Sequence, residues 1–77
     1  MRDYIDERAY GPENVRLLCR AFDDCWEEIG SKLKGNDQRR EPARRRLARA
    51  VLEAYSENRN IQRDELADRA LTRYRSK

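Results

Sequence analysis

Val15-Arg16-Leu17-Leu18-Cys19-Arg20-Ala21-Phe22-Asp23-Asp24-Cys25-Trp26-Glu27-Glu28-Ile29-Gly30-Ser31-Lys32-Leu33 is the stretch that decides the fold. Its apolar members Val15, Leu18, Cys19, Phe22, Cys25, Trp26, Ile29 and Leu33 recur mostly at helical spacing. At about 100° per residue they fall within an arc of roughly 120°, one face of a helix. Gly11-Pro12 precedes the run, and proline suits a first helical position because no backbone donor is needed there. Glu13 follows in the first turn, favourable to the helix dipole. The spacing predicts a helix over 12–33, closed at Gly30 or Gly35, with Gly35-Asn36-Asp37 supplying turn chemistry.

Outward from that helix the pattern repeats. A second helix is predicted over 42–57, with Pro42 in its first turn and Ala43, Leu47, Ala48, Ala50, Val51, Leu52, Ala54 and Tyr55 as apolar positions. These cover an arc near 200°, so the helix is contacted from two sides. Small Ala43, Ala50 and Ala54 allow a neighbour close approach. After Asn58-Arg59-Asn60, a third helix is predicted over 63–75 with Leu66, Ala67, Ala70, Leu71 and Tyr74 as its stripe and Ile61 closing its entry. Residues 1–10 read as a polar N-terminal arm, a frayed turn or a strap, carrying Tyr4, Ile5 and Tyr10. The expectation is an all-α protein, a small antiparallel three-helix bundle forming one domain over residues 11–77.

The chain has 77 residues, 43% charged and 38% apolar, near the size where one core barely suffices. Oligomerisation is a natural way to complete such a core. No run reaches the length of a membrane span and Met1-Arg2-Asp3-Tyr4 has no apolar leader, which implies a cytoplasmic protein with no membrane partner. Cys19 and Cys25 are the two cysteines. Six residues rotate a helix by about 240°, so their thiols diverge and read as reduced core residues. Histidine is absent, which removes the commonest general base and the commonest metal ligand. The two cysteines lack CxxC spacing, Gly11, Gly30 and Gly35 are isolated, and Ser31, Ser56 and Ser76 have no base to activate them. No catalytic residue, metal ligand or cofactor is expected, and the chain reads as no enzyme.

Charge is the positive signal. Residues 1–31 carry net charge −4, residues 32–49 carry +6 and the remainder +1, within a total of +3. Arg39, Arg40, Arg44, Arg45, Arg46 and Arg49 make the basic block, the candidate interaction surface. Such a block reads as a solvated or internally paired surface, a protein-partner surface, or the footprint of nucleic acid. The arginines crowd the start of the second helix and Asp24, Glu27 and Glu28 the end of the first, both against the dipole at roughly 0.3–1 kcal/mol each. An antiparallel hairpin joins the two clusters, with Asp23 and Glu27 expected to face Arg44 or its neighbours; the same complementarity can operate between two chains. A sequence-reading helix-turn-helix is disfavoured, because its second helix opens with Asp64, Glu65 and Asp68, where phosphates would be met. Nucleic acid, if bound, is held by non-specific phosphate contact.

Ala21-Phe22-Asp23-Asp24-Cys25-Trp26, then Arg44-Arg45-Arg46-Leu47-Ala48-Arg49-Ala50-Val51-Leu52, then Asp64-Glu65-Leu66 and Ala70-Leu71, resembles short all-helical proteins of alphaproteobacteria. The likeness spans about residues 12–72 and rests on helical packing patterns. No activity is established for that group, so the resemblance implies a small bacterial helical protein and no mechanism. The expected role is a non-enzymatic adaptor or interaction domain, self-associating or bound to a protein partner. The alternative is a nucleic-acid-binding accessory protein that uses the arginine block.

Overall fold

The computed structural model describes residues 4–33, 35 and 37–76. Among these it forms four helices, α1 (Glu7–Tyr10), α2 (Pro12–Lys32), α3 (Asp37–Glu57) and α4 (Arg63–Ser76), and no strand. The sequence predicts three helices behind an arm; the arm itself contributes the fourth, the single turn α1. The rest of the described arm straps the long helices. Ile5 is buried in the core, and the Tyr4 hydroxyl donates to Glu41 Oε1 at 2.9 Å. Residues 1–3, Lys34 and Lys77 lie outside the described residues, as does Asn36 of the predicted turn.

Gly11 makes the corner between α1 and α2 with φ 79° and ψ 158°, backbone open to glycine and strained for other residues. Pro12 then begins α2 and the Val15 amide donates to the Gly11 carbonyl at 3.0 Å. The predicted start of the second helix is corrected: α3 begins at Asp37, so Arg39 and Arg40 are helical and Pro42 lies inside the helix. Proline cannot donate to the Gln38 carbonyl, which weakens the first turn, but Asp37-Gln38-Arg39-Arg40-Glu41 tolerate helix well enough to form it. Gly35, at φ 86°, belongs to the connection before it.

Helix directions follow from the contacts. Tyr10, just before α2, meets Tyr55 near the end of α3 at 5.9 Å between ring centroids. Phe22 and Trp26, further along α2, meet Arg44 and Arg40 near the start of α3. α3 therefore runs antiparallel to α2. α4 runs in the sense of α2: Asp24 holds Arg63, Cys25 Sγ donates to the Ala67 carbonyl at 3.2 Å, and Glu28 holds Arg75. The core is made by Val15, Leu18, Ala21, Phe22, Cys25 and Ile29 of α2, a band of α3 from Leu47 to Tyr55, Ile61, and Leu66, Ala67 and Ala70 of α4. Leu18, Leu47, Val51 and Leu66 are fully enclosed, each stabilising the fold by about 1.5–3 kcal/mol. Ala50 and Ala54 are buried as well, consistent with α3 packing on both other long helices.

Candidate functional site

The six predicted arginines all lie on α3, but not on one face. At about 100° per residue, Arg40 and Arg44 point with Leu47 and Val51, whereas Arg39, Arg45, Arg46 and Arg49 point away from the core. Aromatic rings of α2 lie beneath this pair, of which Arg44 is half-buried and Arg40 exposed. Arg44 lies 5.8 Å from the Phe22 centroid and 5.7 Å from that of Trp26, and Arg40 lies 6.0 Å from Trp26. The two rings are nearly coplanar in orientation, 8° apart with centroids at 6.2 Å. Arg44 Nε is buried and has no hydrogen-bond partner among the described residues. Gly30 lies beside Trp26, where a Cβ would make an ordinary contact with the indole at 3.5 Å. Half-buried Arg44 and exposed Arg40 cover aromatic surface at the core edge, and the other four arginines form an outer set.

The outer set faces solvent. Arg39, Arg45, Arg46 and Arg49 are all exposed. Arg45 approaches Glu41 at 3.8 Å, a distance worth little at the surface. Arg46 donates to the Tyr74 carbonyl and its guanidinium lies 4.6 Å over the Tyr74 ring, pinning the last turn of α4 to α3. Arg39 and Arg49 have no carboxylate partner among the described residues. Three shallow clefts adjoin this side of α3 and all include Arg46. One of about 500 Å³ runs toward α4, past Ala50, Glu53, Arg73 and Tyr74. A second of similar size lies over Pro42 and Arg45, and the third reaches Leu33 and Arg39.

The predicted acid–base contact between α2 and α3 is corrected. No ion pair joins Asp23 or Glu27 to Arg44 among the described residues. Two other acids of α2, Asp24 and Glu28, are paired by α4. Arg63 Nε and Nη2 donate to the two oxygens of Asp24, both at 2.8 Å, and Arg75 meets Glu28 at 3.2 Å. That fork holds the Asp24 carboxyl below its ordinary range, the hydrogen bond from Arg63 being the chief cause. The physical reason is position: Arg44 gains more by lying over Phe22 and Trp26 than by reaching solvent-exposed carboxylates.

Sequence reasoning set Glu53 one turn from Arg49 as its supporting partner, whereas the structure pairs Glu53 with Arg73. Glu53 and Glu57 follow Arg49 along α3, and both are met by Arg73 of α4. Four-residue spacing extends this row to Glu57, which sequence reasoning did not mark. Among the described residues no group of histidine, cysteine, aspartate or glutamate is arranged to hold a metal. Cys25 is fully enclosed, and burial, reinforced by Asp24, Glu28 and Asp68, pushes its thiol up to about 11, away from reactivity. Cys19 is half-buried. No described helix is long and apolar enough to cross a membrane.

The fold and the site define an all-helical domain bearing an arginine-rich outer helix face. No protein-family model, curated protein or solved structure matches the chain.

Proposed function

We propose that this chain is a non-enzymatic interaction domain, an adaptor that docks an acidic segment of a protein partner on the basic half of α3. The three long helices serve as the antiparallel bundle that carries this face, and the strap through Tyr4 and Ile5 steadies the start of α3. The observation that carries the reading is the separation of the arginines: exposed Arg39, Arg45 and Arg49 point outward beside clefts, while Arg44 is half-buried over Phe22 and Trp26 and Arg46 lies over Tyr74. Arginines that merely solvate a helix gain nothing from lying along grooves, whereas a docked chain gains both charge and shape. The diverging, unbridged thiols support a cytoplasmic location.

The runner-up is phosphate contact with nucleic acid, favoured by the freedom of Arg39 and Arg49 and opposed by Glu41 and Glu53 beside them. Fluorescence anisotropy with labelled poly-glutamate, a mixed-sequence DNA duplex and an RNA, each at low and near-physiological salt, tests both. Binding to poly-glutamate that is lost on replacing Arg39, Arg45, Arg46 and Arg49 by glutamine supports the adaptor. Preference for the nucleic acids with a steep salt slope replaces it by the runner-up, and binding that survives the four substitutions removes this face from either role.

A further inference from the structure

Arg45, Arg49, Glu53 and Glu57 stand at four-residue intervals along one exposed ridge of α3, two positive charges followed by two negative. Twelve residues of helix separate the first from the last, about 18 Å. Read backwards, the same ridge is two negative charges followed by two positive. A second α3 laid antiparallel across it therefore sets Arg45 opposite Glu57 and Arg49 opposite Glu53, and the two-fold repeats both pairs. Ridges of residues four apart are also the ones that interdigitate when two helices cross at about −50°, so the charged rows lie side by side in the commonest packing geometry.

We infer that the outer ridge of α3 is a self-complementary interface, and that a second copy of this chain is the partner it takes, in a two-fold symmetric dimer. This rests on the reading of the outer face of α3 as a docking surface and names its occupant. Three features support it. Glu53 and Glu57 keep 54% of their side-chain surface exposed although Arg73 touches both, so each retains oxygens for an incoming guanidinium. Arg49 has no carboxylate partner among the described residues, even though Glu53 lies one turn away. The cleft of about 500 Å³ beside the ridge, floored by Ala50 and walled by Tyr74, gives the partner's ridge a groove. The described residues expose no large hydrophobic side chain, so the association is electrostatic, concentration-dependent and weakened by salt.

Charge reversal tests the pairing without relying on any residue of the core. Sedimentation velocity is recorded over micromolar to millimolar protein at low and high salt for the wild type, Arg49→Glu, Glu53→Arg and an equimolar mixture of the two variants. The expected result is a wild-type dimer at low salt that dissociates at high salt. Each variant alone dimerises at least about tenfold more weakly, because the two-fold turns each reversal into two repulsive pairs. The mixture dimerises again, since Arg49→Glu and Glu53→Arg restore opposite charges across the interface, which also shows that both variants are folded. A wild type that stays monomeric at low salt overturns the inference, as does a dimer indifferent to either reversal or a mixture that stays monomeric. Poly-glutamate titrated into the same samples separates the two levels. A monomer that still binds it through Arg49 keeps the docking surface and loses the second copy, whereas a monomer that binds none loses both.

Discussion

Replacing Gly11 by alanine should destabilise this protein, and replacing Gly30 by alanine should stabilise it. Gly11 sits at φ 79° and ψ 158°, a region that only glycine occupies at ease. No atom lies within 4 Å of the position a Cβ would take, so there is no steric clash with the surroundings and the cost is that of the backbone. Such a conformation costs a non-glycine residue about 1–3 kcal/mol, offset by about 0.4–1 kcal/mol because alanine restricts the unfolded chain. The net loss is about 1–2 kcal/mol, a shift of roughly 5–15 °C in Tm for a domain of this size. Gly30 is helical, and its Cβ would meet the Trp26 indole at 3.5 Å, an ordinary van der Waals contact. Helix preference then gives about 0.5 kcal/mol, reduced from the mid-helix value by its place in the last turn. The assay is thermal and urea unfolding followed by circular dichroism, with D-alanine introduced at position 11 by chemical synthesis as the control. D-alanine fits positive φ and should match or exceed the wild type. A Gly11→Ala protein as stable as the wild type would refute the strained corner between α1 and α2.

Three further outcomes follow from the side chains. Cys25, raised from 9.0 to about 11 by burial, stays neutral in the fold to higher pH than in the unfolded chain. Its contribution is complete below about pH 9 and is lost as pH rises toward 11, by about 2–3 kcal/mol; wild type should lose that much more stability than Cys25→Ala over this window in urea titrations. The Asp24 carboxyl is lowered by its fork with Arg63, so its contribution is present above the ordinary carboxylate range and vanishes as pH falls through the lowered value. Asp24→Asn should cost about 0.5–1 kcal/mol at pH 7, and acid unfolding curves of variant and wild type should converge once the pH has fallen through the lowered value. Arg44→Ala removes two ring contacts worth about 0.5–1 kcal/mol each and uncovers Trp26, which should appear as a lower Tm and a red-shifted tryptophan emission.

The long helices were legible because their signal is periodic. Val15 to Ile29 repeats at helical spacing, and α2 spans Pro12–Lys32, against a predicted 12–33. α4, at Arg63–Ser76, likewise follows the stripe from Leu66 to Tyr74. The start of α3 was not legible because local rules conflict there: proline usually opens a helix, yet five residues before Pro42 are helical. α1 was legible only as one of two alternatives, a frayed turn or a strap, because a single turn has no periodicity to read. Within the site, the sequence did not show which ring or carboxylate each arginine meets. A helix wheel separates Arg44 from Arg45, but only tertiary packing shows that Trp26 takes Arg40 and Arg44 while Arg63 and Arg75 take Asp24 and Glu28.

The central claim is that the outer arginines of α3 form a docking face distinct from the pair that covers Trp26. An NMR titration that follows backbone amides and arginine Nε–H signals while poly-glutamate is added at low salt tests it most directly. The account predicts shifts centred on Arg39, Arg45, Arg46 and Arg49, with Arg44 nearly unmoved and all shifts reversed by salt. Shifts spread evenly over the arginines of every helix, or none at all, would contradict it.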